Sequence, residues 1–450
     1  MDDDRAHPDP NASCFPVEVC ENIINMLYSV AIVDRVEDTR ALHHCTLVCR
    51  AWRVRSQCNL FYVVVLHNLP ALQKFSAVLD NAPHLCDYVH EVTLVGRALH
   101  TATSPLSLLS IALRGKLPKL QEVTINRFRE DAKSYPRTSK SDTVKPLQYL
   151  PLHPRFAVYF SAFTTVSRLC IVNLTFVHFN DLARMINSLP ALRTLVCSHV
   201  RCVALGALPF NMKPQADGIH APATPFAPKL QKLRLYCVDI HCFQRLVSAC
   251  GPRLRELSVT VPFFHDAEMV LPGVRPHCRA YSGVDLSLCT TLKRLDIWLG
   301  PELMTDGQSL DKLKAMLDSR DSKVPLQYVH LQPYYEQDFT WQGFADLAGT
   351  VGRVLEELFH ESSAPPSADG EVGEQGGRWR IWVDVYDWEV WRHWWWTHVQ
   401  KCFPSFAKSN GLTMTCRRIA QSLSCIPLAL NNLYNWKDRD ALPPMPTTTT

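Results

Sequence analysis

At 450 residues, with 47% hydrophobic and 20% charged side chains, the chain can hold two or three domains, or one elongated array behind a small domain. Its 47 basic and 43 acidic residues leave a net charge of +4, and the basic ones are scattered, so the sequence carries no nucleic-acid footprint. The longest strongly apolar run, LFYVVVL at 60–66, is far too short to span a bilayer.

In chain order, residues 1–12 are acidic and proline-containing, with no apolar signal-peptide core behind them, and read as disordered. FPVEVCENIINML (15–27) is amphipathic: Pro16 suits a first helical turn, where a missing N–H costs little, and Val19 or Cys20, Ile23, Ile24 and Leu27 form its stripe. A second helix is predicted over 38–52, capped by Asp38. Its apolar residues, Ala41, Leu42, Cys45, Val48, Cys49 and Trp52, form one stripe at helical period, with His43 and His44 off it. The stretch HHCTLVC therefore fails as a metal site. Cys45 and Cys49 could face one zinc, but neither histidine joins them and the sequence nominates no further ligands. The 17 cysteines lack regular CxxC pairing and read as reduced thiols of a cytoplasmic or nuclear protein.

Two short helices on about 40 residues cannot bury this much apolar surface against each other, so the rest of the chain or a partner must cover the surplus. FPVEVCENIINML, then Leu42, then LVCRAW together resemble the F-box, with Phe15 where that motif usually has leucine and a longer connection at 28–38. The resemblance spans residues 13–60. It implies a docking surface for the Skp-type adaptor of a cullin–RING ubiquitin ligase, built from Phe15, Pro16, Val19, Ile23, Ile24, Leu27, Leu42, Cys45, Val48, Cys49 and Trp52. A helical hairpin packed only on its own chain is the competing reading.

LFYVVVL predicts a strand, and a pattern of the form LxxLxL then recurs. It reads VHEVTL (89–94), LQEVTI (120–125), VSRLCI (166–171), LRTLVC (192–197), LQKLRL (230–235), LRELSV (254–259), LKRLDI (292–297) and LQYVHL (326–331). Helical patterns at 179–190 and 240–252 lead directly into the next unit, and such alternation at repeating intervals predicts an α/β solenoid over 61–415. The region resembles a divergent leucine-rich-repeat array; an ordinary α/β domain with parallel strands is the alternative. Pro-, Gly- and Ser-rich stretches at 131–150, 211–228 and 361–378 read as inserted loops, and 416–450 as a partly disordered tail.

RWRIWVDVYDWEVWRHWWWTHV (378–399) holds seven tryptophans. Trp379, Ile381, Val383 and Val385 alternate as in a strand, with Trp382 and Asp384 on the other face. From Asp387 a helix is predicted, with Trp388, Trp391, Trp395 and Val399 on one side. The segment reads as a cap on the array, or as a recognition patch carried by Trp394 and Trp396, which fall off the core stripe.

GxGxxG, GxxxxGKS/T, GxSxG and HExxH are absent; no catalytic residue, cofactor or metal ligand is expected. CVDIHC (237–242) and HDAE (265–268) come nearest to a chemical cluster. In each LxxLxL unit the L positions should face the core and the intervening ones the open side. Those include Arg193, Thr194, Lys232, Arg234, Arg255, Glu256, Lys293, Arg294 and Asp296. The basic members suit an acidic or phosphorylated segment of a target protein. The expected function is substrate receptor of an SCF-type ligase. The rival is a leucine-rich scaffold with no ubiquitin role.

Overall fold

A computed structural model describes residues 16–27, 35–96, 105–127, 150, 152–153, 155–204, 226–261, 284–300, 307–319, 326–333, 348–357, 380–386, 392–409 and 411–417. Phe15, the HDAE segment, Trp379, Trp388, Trp391, residues 1–12, 361–378 and 418–450, and most of the stretches 131–150 and 211–228 lie outside the described residues. The described ends of those last two stretches are not loose. Leu150 and Phe226 are buried in the main core, and Asn187 Oδ1 accepts from the Ala227 N–H at 2.8 Å.

Three helices open the chain: α1 (Val17–Met26), α2 (Arg35–Val48) and α3 (Arg50–Tyr62). The single helix expected over 38–52 is two helices, because Cys49 is extended (φ −158°, ψ 172°). Asp38 lies inside α2, which begins at Arg35, rather than capping it. The break turns Val48 and Cys49 outward and lets Trp52 fold back against the cluster of Ile24, Leu42 and Cys45, joined by Leu27 and Leu60. Arg55 Nε donates to Asn25 Oδ1 at 2.7 Å and Asn59 Nδ2 to the Ile24 carbonyl at 3.3 Å, tying α3 to α1. Helix α3 consumes the first half of LFYVVVL, so the strand begins at Val63 rather than Leu60.

The strands are β1 (Val63–Leu66), β2 (Glu91–Val95), β3 (Glu122–Asn126), β4 (Arg168–Val172), β5 (Thr175–His178), β6 (Thr194–Ser198), β7 (Arg201–Ala204), β8 (Lys232–Tyr236), β9 (Glu256–Val261), β10 (Arg294–Leu299), β11 (Tyr328–Pro333), β12 (Arg380–Tyr386) and β13 (Leu412–Arg417). Among the described residues, eleven of them form one sheet in chain order, β5 and β7 pairing separately. Every pairing is parallel. All eight LxxLxL units are strands, each starting at the unit's third residue. The fold is thus mixed α/β with a large parallel sheet. The small β5–β7 sheet and β13 had no counterpart in the sequence reading.

Helices α4 (Leu69–Asn81), α5 (Pro105–Ala112), α6 (Phe156–Phe160), α7 (Phe179–Asn187), α8 (Ile240–Cys250), α9 (Gly307–Asp318), α10 (348–357), α11 (Arg392–Cys402) and α12 (Pro404–Lys408) intervene. They cover one face. The L positions of the strands, such as Leu233, Leu235, Leu257, Val259, Leu295, Ile297, Val329 and Leu331, share a continuous core with Phe179, Phe243, Leu313, Leu355 and Phe406 of the helices. Each fully buried side chain of this size contributes roughly 1.5–3 kcal/mol. Asp239 begins α8 by accepting from the N–H groups of His241 (2.8 Å) and Cys242 (3.0 Å), so the CVDIHC segment is a helix cap with buried cysteines.

Strands β2, β4, β6 and β8 end on equivalent residues with positive φ: Gly96 (117°), Asn173 (57°), His199 (51°) and Cys237 (48°). Glycine and asparagine accept that turn readily; histidine and cysteine there are held by the ladder itself, His199 N–H donating to the Tyr236 carbonyl at 2.9 Å. The layers also meet closely at Gly251, after α8, where an added Cβ would stand 2.9 Å from the Leu288 carbonyl oxygen. Gly251→Ala is expected to destabilise the protein by about 1–3 kcal/mol, read as a lower urea midpoint at unchanged slope.

Candidate functional site

The second face of the sheet carries no helix among the described residues, and its strand side chains form three rows. The first runs Glu91, Glu122, Arg168, Thr194, Lys232, Glu256, Arg294, Tyr328; the second runs Thr93, Thr124, Cys170, Val196, Arg234, Ser258, Asp296, His330, Trp382. The third contains Asn126, Ser198, Tyr236, Thr260, Trp298, Gln332 and Asp384.

This face is not the open, solvated surface that the alternation predicted. Cys170, Val196, Tyr236, Cys237 and Trp298 form an apolar cluster on it, with the Tyr236 and Trp298 rings edge-to-face at 5.5 Å. Asp296, expected to be exposed, is 7% exposed. Its Oδ1 accepts from Arg294 Nε at 2.7 Å and its Oδ2 from Ser258 Oγ at 2.8 Å. Across the next strands His330 sits between two carboxylates: Nδ1 is 3.3 Å from Asp296 Oδ1, and Nε2 is 3.0 Å from Asp384 Oδ2. The latter approach is close enough for an ion pair but off the line of a hydrogen bond. Gln332 and Arg294 also approach Nδ1, at 2.7 and 3.1 Å, and Trp382 stacks obliquely over the imidazole at 5.7 Å.

Burial disfavours a charged imidazole, but Asp296 and Asp384 together outweigh it and hold the His330 pKa above the ordinary 6.5. Burial would likewise raise Asp296, yet His330 and Arg294 hold its carboxyl below the usual range. With histidine protonated, two cations face two carboxylates and the cluster is neutral.

At the other end of the sheet Arg168 Nε lies 3.4 Å from Glu122 Oε1, which also accepts from Cys170 Sγ at 3.2 Å. Burial pushes the Cys170 thiol up to about 12, so it stays protonated. Among the described residues, no group of three or more His, Cys, Asp or Glu is arranged to hold a metal ion.

The predicted readers separate into three kinds. Lys232 is paired with Glu256 at 2.8 Å and Arg294 with Asp296, so neither is a free cation. Arg193, Arg255 and Lys293 are exposed but precede their strands; they line the rim where the sheet begins rather than its face. Arg234 is on the face, half-buried, with no ion pair or hydrogen bond among the described residues. Trp396, expected off the core stripe, packs against the main core through α11, whereas Val399 is buried as expected. The Trp394 side chain lies outside the described residues. Ile381 and Val383 enter the core and Trp382 and Asp384 take the other face, as the alternation predicted. His330 and its partnership with Asp384 were missed; the only signal was a histidine at an x position of LQYVHL.

On α1–α3, Pro16, Val19, Ile23, Val48 and Cys49 are exposed, joined by Met26, Leu47 and Val54, which were not singled out. Ile24, Leu42 and Cys45 are buried between the helices, and Leu27 and Trp52 pack against them. These five hold the helices together and correct the expectation that the whole stripe faces a partner. His43 and His44 are exposed. Below this unit a cleft of roughly 300 Å³ opens between Leu27, Leu42 and Leu60 and strand β1. The chain matches no protein-family model and no curated protein.

A raised His330 pKa stabilises the fold fully below the unfolded value of 6.5, and that contribution is lost as pH rises through the folded pKa. The Asp296 contribution has the opposite sense: it is present above 3.8 and lost as pH falls through its lowered pKa. Urea unfolding across pH should therefore show the wild type losing stability as pH rises from 6.5 through the raised His330 pKa. His330→Gln should be flatter there, and the gap between the two should narrow as pH rises.

Proposed function

We propose that the chain is a connector: α1–α3 act as an F-box that docks a Skp-type adaptor of a cullin–RING ubiquitin ligase, and the sheet, as a divergent leucine-rich-repeat array, holds a target protein. The observation that carries this reading is the division of the helical stripe. Ile24, Leu42 and Cys45 are consumed inside the unit, while Val19, Ile23, Met26, Leu47, Val48 and Val54 remain outside, Met26 at 84% and Leu47 at 69% exposure. So many large apolar side chains on one short helical unit mark an interaction surface. The same segment carries the Pro16, Glu18 and Val48-Cys49-Arg50-x-Trp52 elements of the F-box pattern.

The sheet supports the second half of the reading. Its face that carries no helix among the described residues combines aromatic rings, paired charges and a guanidinium unpaired among them, the mixture found where polypeptides are recognised. Such a protein performs no chemistry of its own. It raises the effective concentration of target lysines near ubiquitin transfer by other subunits. A leucine-rich scaffold without a ubiquitin role shares the sheet but has no use for the exposed helical residues.

Exchanging Ile23 and Val48 together for aspartate should weaken adaptor binding at least about thirtyfold, equivalent to ~2 kcal/mol, with circular dichroism unchanged. Leu42→Ala acts differently. It removes a side chain that is 3% exposed and should destabilise the helical unit by about 2–5 kcal/mol, read by hydrogen exchange in α1–α3. Unchanged adaptor binding in the double variant would remove the adaptor site from this surface, and no adaptor binding by the wild type would leave the scaffold reading standing.

A further inference from the structure

We infer that Arg234 is the anchor of a carboxylate subsite on the helix-free face, and that the segment recognised there is an acidic stretch of a protein partner bearing an Asp or Glu side chain. The inference rests on the reading of this face as the target-binding surface.

The charge pattern isolates Arg234. On β8–β10, Lys232 is neutralised by Glu256 and Arg294 by Asp296. Arg234 lies between Val196 of β6 and Ser258 of β9 and has no acidic partner among the described residues. A half-buried guanidinium loses part of its hydration on folding, and no carboxylate among the described residues compensates for that loss.

The neighbouring polar groups point the same way. Ser198 on β6 and Thr260 on β9 flank Arg234 diagonally, two residues further along the two adjacent strands, within reach of a long side chain. Trp298 pairs with Thr260 on the next strand. Ser198 Oγ, Thr260 Oγ1 and Trp298 Nε1 are buried and make no hydrogen bond. An indole N–H and a guanidinium can only donate, and both hydroxyls can donate. An acceptor placed beside Arg234 can meet the guanidinium together with an adjacent hydroxyl, and the guanidinium makes it an anion.

One uncompensated positive charge selects a monoanion. A carboxylate meets the guanidinium through two parallel hydrogen bonds and leaves the subsite neutral. A phosphorylated side chain, at nearly twice that charge, would leave the subsite negative. The nearest further cations are already paired. Tyr236, Val196 and Cys170 give the subsite an apolar border, which suits an acidic residue next to an apolar one.

The test uses the full chain and three sets of short peptides with randomised flanks, fixed at the centre as Glu, Gln or phosphoserine, with retention read on an array. The Glu set should be retained about tenfold more strongly than the Gln set, and more strongly than the phosphoserine set. Arg234→Gln should erase the preference, Arg234→Lys should keep part of it, and Arg193→Gln on the rim should leave it intact. Equal retention of Glu and Gln sets, no retention by the wild type, or an unchanged preference in both Arg234 variants would overturn the subsite. A phosphoserine preference would overturn its monoanion character. Adaptor binding is measured on the same preparations. Its loss in the wild type together with a surviving Glu preference would reject the ligase reading and leave the subsite in place.

Discussion

Side chains on a β-strand alternate between two faces, and in this protein that constraint governs nearly everything else. Each parallel strand sends alternate residues into one continuous core shared with the helices, and the remaining residues onto a face without helices among the described residues. A slip of one residue in any strand would bring Arg234, Asp296 or His330 into the apolar layer, at a cost far above the few kcal/mol a single contact supplies. Register is therefore fixed by the L positions, and the composition of the second face is free to serve recognition.

That second face resolves its charges mostly within itself. Glu122 with Arg168, Lys232 with Glu256, and Arg294 with Asp296 are each a cation and a carboxylate on the same face. The His330 cluster extends this to four groups. Buried ion pairs add little net stability over apolar packing but impose a strong penalty on alternatives that separate them. In the His330 cluster, which reaches from Ser258 on β9 to Asp384 on β12, that penalty opposes any slip between these strands. The proposed subsite at Arg234 is a departure from that self-neutralisation.

The N-terminal helices follow a different logic. The unit is too small to bury its own apolar surface, and the extended residue at Cys49 divides what it has. One part becomes an internal cluster that positions the three helices; the other remains exposed, and it is this part that the proposed adaptor would cover. Mutations in the two parts consequently have different meanings, one reporting on folding and the other on the proposed association.

The eight LxxLxL units were legible because a period-two pattern with leucine at fixed offsets depends only on local geometry; so were α7 and α8, the alternation of Ile381 and Val383, and the apolar character of residues 16–27. The break at Cys49 was not, since a single stripe at helical period fits one helix or two until Trp52 is seen packed on Ile24. Nor was the condition of the charged residues. The sequence determined which face Arg294, Asp296 and Arg234 occupy, but pairing depends on which strands become neighbours and at what register. Tertiary structure alone brought His330 of β11 between Asp296 of β10 and Asp384 of β12, more than fifty residues further on. The same assembly gave Lys232 and Arg294 partners and left Arg234 without one, because charges far apart along the chain interact only once the sheet has set them a strand's width apart.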